Sequence, residues 1–308
     1  MAATAVAGRA GAQVRLDRRG PSLIPDASDY EPPETLKAVF DLCRRMTAPV
    51  RVNGRGPYPF VVDTGANQSV ISAALAARLG LVSGPLELLN STTGAQMAPT
   101  TTAQLTVGVR TEPDVVLSIL PEWAMGGVGM LGVDRLDGQR LTMDFAHERL
   151  TIEAADRPLR NPNDVVMRAH RRDGQLTLVD ADLAGAPVIA FLDSGAESTI
   201  GNLALRAMAA ARQPQAAWSE APVVSVTGQT VRAVMTSVDA LRIGGLRLPT
   251  WPVAFADLHA FSLWDLTSEP ALMIGVDVLS RFSVVSLDFL RSEVRFRDVA
   301  QAWSTRVV

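Results

Sequence analysis

One short segment of this sequence occurs twice, and the duplication limits what the chain can fold into. Residues 62–66 read VDTGA, and residues 192–196 read LDSGA. Each copy is followed downstream by a second matching element, MLGVD at residues 130–134 and MIGVD at residues 273–277. The two elements recur in the same order and at similar spacing, which indicates an internal repeat.

A third pair of segments extends the repeat. Residues 141–145 (LTMDF) precede a short alternating segment at 149–152, and residues 285–289 (VSLDF) precede one at 293–296. Both pairs predict a strand, a turn and a second strand. A lone Asp-Thr/Ser-Gly tripeptide is most often a surface turn, because Asp and Gly are common turn residues. Three ordered repeats predict two similar domains instead.

The repeated aspartates suit acid–base chemistry. Two neighbouring carboxyl groups cannot both ionise, so one holds a proton while the other acts as a base. Asp63 and Asp193 together can position a water, take its proton as it attacks an amide carbonyl, and protonate the leaving nitrogen. The apolar residues at 60–62 and 190–192 predict a buried strand before each acid.

The residues after each acid suit a tight loop. Gly65 and Gly195 allow a sharp turn and a close approach of backbone to carboxylate, where a Cβ would intrude. Thr64 and Ser194 carry small hydroxyl groups, which we expect to hydrogen-bond between the two loops.

These motifs resemble those of the retropepsin-like aspartic proteases, which include retroviral proteases and their bacterial relatives. Residues 63–71 (DTGANQSVI) and 193–200 (DSGAESTI) are similar to that family's active-site loop. Residues 129–134 and 272–277 are similar to the strand that backs the loop and the short helix that follows it. The resemblance implies an all-β fold of two retropepsin-like β-barrel domains, related by a pseudo-twofold axis, with a few short helices.

The resemblance also implies a site. Asp63 and Asp193 are the expected catalytic residues. The expected supporting residues of the two loops and the two backing strands are Thr64, Gly65, Ala66, Ser194, Gly195, Ala196, Leu131, Gly132, Ile274 and Gly275. No metal and no organic cofactor is expected, because water and the two acids carry the reaction. Two units in one chain predict a monomer whose halves pair internally, and pairing between chains is the alternative.

Each half contains a candidate flap between its acid and its backing glycine. The candidate tips are Thr93 and Gly94 in the first copy and Thr227 and Gly228 in the second. In related proteases a hairpin at this distance closes over the bound peptide and excludes water. An ordinary polar hairpin turn is the alternative interpretation.

The chain divides into four predicted parts. These are a weakly ordered arm at residues 1–35, a first domain at 36–156, a linker at 157–173 and a second domain at 174–308. Short helices are predicted directly after each acid loop, at residues 72–80 and 202–211. Residues 36–46 have helical spacing, whereas the family's lead-in is extended, so helix and strand both stay open there.

Other polar and aromatic residues have simpler interpretations. Asp134 and Asp277 follow the backing glycines, where a carboxylate caps the amides of a short helix. The three histidines, His147, His170 and His259, share no spacing typical of a metal site or a catalytic triad. Four aromatic residues fit either substrate pockets or core packing; they are Trp123, Trp251, Phe261 and Trp264.

The composition limits which kinds of protein this chain can be. A chain of 308 residues with 47% hydrophobic content is long enough for two cores. A net charge of −3 with mixed signs does not favour a nucleic-acid partner. The single cysteine, Cys43, excludes an internal disulfide, and its place in the lead-in favours a structural thiol over a nucleophile. No segment approaches the roughly 18 apolar residues of a membrane span.

The sequence therefore predicts an aspartic endopeptidase that acts on peptide or protein substrates. A catalytically inactive peptide-binding or scaffold protein with the same fold is the alternative. The small-residue-rich start is typical of the end of a trimmed signal peptide, which favours a periplasmic or secreted location, with the cytoplasm as the alternative. Ala66 and Ala196 offer no hydroxyl to a carboxylate, which predicts a mildly acidic optimum of about pH 5–6.5.

Overall fold

The structure is a computed structural model that describes residues 34–41, 44–136, 138–172, 176–243 and 246–299. The described residues belong to one compact unit. Cys43 and nearly all of the predicted N-terminal arm lie outside the described residues. We call residues 34–156 the first half and residues 164–299 the second half.

The first half is built mainly from strands. They are β1 (Glu34–Lys37), β2 (Val39–Phe40), β3 (Met46–Val52), β4 (Arg55–Val62), β5 (Val70–Ser72), β6 (Leu86–Ser91), β7 (Gly94–Val107), β8 (Arg110–Leu120), β9 (Gly129–Leu131), β10 (Gln139–Asp144) and β11 (Arg149–Ala154). Alternation makes β3 a strand with one buried face, since Ala48, Val50 and Val52 are fully buried while Arg51 is exposed.

The second half repeats the same architecture. Its strands are β12 (Asp164–Arg168), β13 (His170–Arg172), β14 (Leu176–Leu183), β15 (Ala186–Leu192), β16 (Ile200–Gly201), β17 (Ser219–Val224), β18 (Thr230–Ile243), β19 (Leu246–Phe255), β20 (Ala271–Ile274), β21 (Phe282–Asp288) and β22 (Glu293–Val299).

The helices are short. They are α1 (Ala73–Leu79), α2 (Glu122–Met125), a 3₁₀ helix at Val133–Arg135, α3 (Leu203–Arg212), α4 (His259–Leu263) and α5 (Val276–Leu279). The side chain of Ser72 accepts a hydrogen bond from the Leu75 amide at the start of α1, and Gly80 ends that helix with φ +69°. Asn202 caps α3 in the same way. Both helices predicted after the acid loops are therefore confirmed.

Two eight-stranded sheets have matching topology. The first has the order β2-β3-β4-β9-β5-β8-β7-β6 with an extra β3–β7 pairing, and the second has β13-β14-β15-β20-β16-β19-β18-β17 with an extra β14–β18 pairing. Each extra pairing folds the sheet back on itself, as a β-barrel requires. The predicted fold class, two retropepsin-like β-barrel domains with a few short helices, is confirmed.

A third sheet joins the two halves and marks their pseudo-twofold axis. Its order is β1-β11-β10-β21-β22-β12, with β10 and β21 antiparallel at the centre. Thr142 pairs with Ser286, its own counterpart in the repeat, and their hydroxyl oxygens are 2.9 Å apart. The axis therefore passes between these two residues.

Two segments carry more strand than their sequences indicate. The lead-in at 36–46 is extended in its described residues, as β1 and β2, so its helical spacing was misleading. The range predicted as a linker, 157–173, contains β12 and β13. Strand β12 pairs with β22 at the edge of the joining sheet, a long-range contact that local composition does not reveal.

Candidate active site

The two acids lie at the ends of equivalent buried strands. Strand β4 runs parallel to β9, and the amide of Asp63 donates to the carbonyl of Leu131 at 2.9 Å. Strand β15 runs parallel to β20 in the same manner, and the amide of Asp193 donates to the carbonyl of Ile274 at 3.0 Å. The backing strands at 129–131 and 271–274 thus set the depth of each acid.

Aromatic packing supports β15, the strand that leads to Asp193. The Phe191 ring, fully buried, makes edge contacts with Trp264 at 4.7 Å and with Phe261 at 5.7 Å between ring centroids. In the first half the buried ring lies one residue further from the acid, at Phe60, which is also fully buried. Truncation of such a ring typically costs about 3–5 kcal/mol, so both acids rest on rigid supports.

The two acid loops, residues 63–66 and 193–196, interlock through four hydrogen bonds. The Thr64 hydroxyl donates to the Leu192 carbonyl at 2.9 Å and accepts from the Ser194 amide at 3.0 Å. The Ser194 hydroxyl donates to the Val62 carbonyl at 2.7 Å and accepts from the Thr64 amide at 3.1 Å. Each hydroxyl is therefore used as both donor and acceptor across the axis, in the arrangement expected from the sequence.

Each acid is held by its own loop and touches the other loop. The amides of Gly65 and Ala66 donate to Asp63 Oδ1 at 2.8 and 3.1 Å. A Cβ on Gly65 would lie 2.6 Å from the carboxyl carbon of Asp193, and a Cβ on Gly195 would collide with the carboxyl group of Asp63. Only glycine permits this approach of the two loops.

The two carboxyl groups are almost fully buried, and each lies against the glycine of the opposite loop. Their residues are 8% and 7% exposed. Burial raises the pKa of Asp63, and hydrogen bonding with the Asp193 side chain partly offsets that rise. Burial also raises the pKa of Asp193 well above its usual range, and the charge of Asp63 raises it further. One proton between two acids is the state these effects favour.

A hydroxyl group fastens each acid loop to its backing glycine. In the first half the Gly132 amide donates to Ser69 Oγ at 3.0 Å, and Ser69 donates to Asp134 Oδ1 at 3.1 Å. In the second half the Gly275 amide donates to Thr199 Oγ1 at 3.1 Å. A Cβ on Gly132 would lie 2.8 Å from the Ala66 carbonyl oxygen, so the backing strand needs glycine there.

The recurring acids after the backing glycines hold these hydroxyl groups. Thr199 donates to Asp277 Oδ1 at 2.7 Å, and the Trp251 indole donates to Asp277 Oδ2 at 3.2 Å. Both Asp134 and Asp277 lie in the first turn of a short helix, as expected. Sequence analysis missed Ser69 and Thr199 as partners, although both stand at the same distance after their acids.

A buried arginine at the cleft was also missed. Arg45 is 4% exposed and lines the cleft beside the acids. Nothing in the repeat indicates it, because the repeated motifs begin after it in the chain. Its partners lie in both halves, which only the folded structure brings together.

The acids lie on the floor of a cleft with a volume of about 620 Å³. Its second-half wall is apolar and includes Ile200, Met235, Ala254, Leu263 and Trp264. Its first-half side contributes polar residues, among them Asn67 and Asn90, together with Trp123. A cleft of this size accommodates several residues of an extended chain.

Two hairpin tips meet over this cleft. The first lies between β6 and β7 and the second between β17 and β18. Ser91 Oγ and Thr227 Oγ1 are 3.3 Å apart, and Thr93 Oγ1 donates to Gln229 Oε1 at 3.4 Å. The cleft-lining residues of the tips are Ser91, Thr92, Ser225 and Val226 rather than the named candidates Thr93, Gly94, Thr227 and Gly228.

Each tip also rests on the opposite half. The Ala260 amide of α4 donates to the Thr92 carbonyl at 3.2 Å. Val226 packs on a first-half apolar cluster that includes Leu89 and Met125. The φ of Gly228 is +81°, and a Cβ there would lie 2.5 Å from the Trp123 ring. The two hairpins are therefore closed over the acids.

The other aromatic and histidine residues separate into groups. Trp123 and Trp264 line the cleft, whereas Phe261 is core and Trp251 packs against the core while binding Asp277. His259 Nε2 lies 3.2 Å from Asn90 Oδ1 at the first hairpin.

Among the described residues, no three His, Cys, Asp or Glu side chains are grouped for a metal ion. No described helix has the length and apolar character needed to cross a bilayer.

Comparison with known families agrees with this geometry. Residues 48–137 match the family described as "gag-polyprotein putative aspartyl protease", and residues 179–278 match the family described as "aspartyl protease". The two ranges together cover more than half of the chain and contain one acid loop each. The chain therefore belongs to the retropepsin-like aspartic proteases, as a single chain with two protease-like halves. A search of curated proteins found no match.

Proposed function

We propose that this protein is an aspartic endopeptidase that hydrolyses peptide bonds with a water activated between Asp63 and Asp193. The observation that carries the proposal is the pairing of two almost fully buried carboxyl groups, which come from equivalent loops, lie against each other's loop glycines and line the same cleft. One protonated and one ionised carboxyl group is the arrangement that this chemistry needs.

The substrate would be an extended peptide. The cleft runs beneath the two hairpins, whose strands offer backbone groups that pair with an added strand. Closure of the hairpins excludes water other than the reacting one, which strengthens the electrostatic interactions of the acids. An apolar second-half wall and a more polar first-half side favour different side chains on the two sides of the cleft.

The raised pKa values support activity at mildly acidic pH. Burial is the leading cause for both acids, so the pair takes up its single shared proton at a higher pH than exposed carboxyl groups would. We therefore propose an optimum of about pH 5–6.5. A profile that peaks below about pH 3 would contradict this proposal.

The test is cleavage of a peptide mixture by purified protein, followed by mass spectrometry across a pH series. Wild type should cut internal peptide bonds, and Asp63→Asn and Asp193→Asn should each reduce cleavage to background while the protein stays folded. Asp257→Asn, at an exposed aspartate, is the matched control and should keep full activity. Peptide binding without cleavage by wild type would support the inactive scaffold alternative.

A further inference from the structure

The two acid loops hold their carboxyl groups with nearly identical hydrogen bonds. Asp63 Oδ1 accepts from two amides at 2.8 and 3.1 Å, and Asp193 Oδ1 accepts from two amides at 3.0 and 3.0 Å. These bonds do not decide which acid keeps the shared proton. A small difference in surroundings does decide it, since 1.4 kcal/mol corresponds to about a tenfold preference.

Arg45 provides such a difference. Its side chain is buried, forms an ion pair with Asp41 at 2.7 Å, and donates to the Met125 carbonyl at 2.8 Å. Its remaining contact crosses the axis, where Nη1 donates to the Gly195 carbonyl at 3.3 Å. The guanidinium is therefore held in a fixed position, which a planar group with several donors allows.

Gly195 connects this arginine to one acid and not to the other. Its Cα lies against the carboxyl group of Asp63, so closely that a Cβ would collide with it. Arg45 thus binds the residue that packs on Asp63. The equivalent neighbour of Asp193 is Gly65, which packs on that carboxyl group in the same way.

The strand register identifies the residue equivalent to Arg45 in the second half. Thr47 pairs with Val61, two residues before Asp63, and Leu178 pairs with Phe191, two residues before Asp193. Arg45 lies two residues before Thr47, so its counterpart is Leu176. A cation in one half therefore corresponds to a neutral residue in the other.

We infer that Arg45 makes the two acids unequal, so that in the resting protein Asp63 is the carboxylate base and Asp193 is the proton-holding acid. This assignment rests on the proposed function, and Arg45 acts as a positioning residue through its charge. Consistent with it, the charge of Arg45 lowers the pKa of Asp63 among its smaller causes, whereas the charge of Asp63 raises that of Asp193.

Among the side chains that the structure describes, Arg45 and Glu197 are the charged groups that line the cleft beside the two acids. Asp41 offsets part of the charge of Arg45 through their ion pair. Glu197 also lines the cleft, but it is exposed and therefore screened by solvent. Neither reverses the asymmetry that Arg45 introduces.

The assignment gives each proton a defined path. Asp63 takes a proton from water while the water oxygen bonds to the amide carbon, and Asp193 gives its proton to the carbonyl oxygen. The resulting diol then collapses: the proton on Asp63 passes to the amide nitrogen, the C–N bond breaks, and one diol hydroxyl returns its proton to Asp193. The resting state is restored, with one carboxylic acid and one amine as products.

The first test compares the pH dependence of kcat/KM for wild type, Arg45→Gln and Arg45→Lys. Without the cation, Asp63 should need a higher pH to ionise, so the acid limb of Arg45→Gln should move to higher pH. At a pH on that limb, kcat/KM relative to its own maximum should fall roughly three- to tenfold below wild type. Arg45→Lys keeps the charge and should keep the limb, and Arg78→Gln, at an exposed arginine, should change nothing.

An unchanged acid limb in folded Arg45→Gln would overturn the inference, and would leave Arg45 as a brace between the halves. A wild type that cleaves no peptide would instead refute the proposed function. A second measurement tests the inference even if wild type cleaves no peptide or if Arg45→Gln does not fold. It is a ¹³C NMR titration of aspartate carboxyl groups in wild type, assigned with Asp63→Asn and Asp193→Asn. Asp193 is expected to stay protonated up to a higher pH than Asp63. The reverse order would overturn the inference.

Discussion

At the residue scale, the acid-loop glycines are required by contact rather than by backbone angle. Neither Gly65 nor Gly195 has a positive φ, yet each lies against the carboxyl group of the opposite loop. A methyl group at either position would push the two loops apart. The separation of the acids is therefore set by the absence of a side chain.

Gly195→Ala should reduce kcat/KM by at least about 100-fold, because displacement of a reacting group by about 1 Å costs this much. Gly127→Ala is the matched control, since it stands near the cleft and its added Cβ would make an ordinary contact at 3.6 Å with Val61. Peptide cleavage assays on both variants, with circular dichroism to verify folding, provide the comparison. Near-normal activity of Gly195→Ala would show that the loops tolerate separation.

The dyad should also lower the stability of the protein at neutral pH. The pKa of Asp193 is raised in the folded state, chiefly by burial, so its contribution to stability is present below the unfolded-state pKa of about 3.9 and is lost as pH rises through the folded-state pKa. Asparagine carries no such pH dependence, because it does not ionise.

Asp193→Asn should therefore raise the melting temperature by about 2–4 °C at pH 8, equivalent to about 1 kcal/mol, and by less at pH 4. Thermal unfolding at a series of pH values measures the difference. The exposed Asp257→Asn serves as the control and should stay within about 0.5 kcal/mol of wild type. A gain of equal size at pH 4 and pH 8 would contradict this account of the buried acid.

At the element scale, the central strands of the joining sheet carry a buried ion pair between the halves. Arg140 of β10 is 2% exposed and contacts Asp288 of β21 at 2.9 Å and Glu153 of β11 at 2.7 Å. It also donates to the Arg157 carbonyl, in the segment that links the halves. A charge in this position is tolerated only while it is paired.

Arg140→Ala should lower the free energy of unfolding by about 3 kcal/mol, because it leaves the Asp288 carboxylate buried with fewer partners. Arg149→Ala, on the exposed side of the neighbouring strand β11, should change it by no more than about 0.5 kcal/mol. Denaturant unfolding monitored by tryptophan fluorescence compares the two. A loss below about 1 kcal/mol in Arg140→Ala would show that the ion pair contributes little to the joining of the halves.

The elements differ in how far their sequences predict them. The helix after each acid loop was predictable because its caps are local, as Ser72 and Gly80 show for α1. The acid loops were predictable because the repeat places two copies in order. The sequence did not predict β12, because its partner β22 lies far along the chain. It did not predict β13, which pairs with the neighbouring β14, because the range 157–173 has the polarity and prolines of a linker. Arg45 was missed for the same reason as β12, because its contact with Gly195 spans 150 residues.

The hairpins over the cleft were predicted only in part. The repeat and the turn residues predicted both hairpins at the correct places. The residues that line the cleft are displaced by one or two positions from the candidates, toward Ser91 and Val226. Which side of a hairpin tip faces a cleft depends on the contacts it makes with the other half. Those contacts, such as Ala260 with Thr92, have no counterpart in local sequence.

At the scale of the whole molecule, one chain supplies both halves of the site. The Thr64 and Ser194 hydroxyls bind across the axis, and β10 pairs with β21 in the same chain. An exchange of halves between two chains would reproduce the same contacts, because a swapped dimer uses identical surfaces. Activity of mixed inactive variants distinguishes the two arrangements.

Co-expression of Asp63→Asn and Asp193→Asn should give no peptide cleavage above that of the double variant, because a molecule that pairs its own halves never contains two intact acids. If halves paired between chains, mixed dimers would contain one site with both aspartates and one with neither. Random mixing would then restore roughly a quarter of the wild-type activity. Differently tagged variants, purified through both tags in sequence, would isolate any such dimers, and their mass in dilute solution would be twice that of the chain. Recovered activity in that fraction would replace internal pairing with exchange of halves.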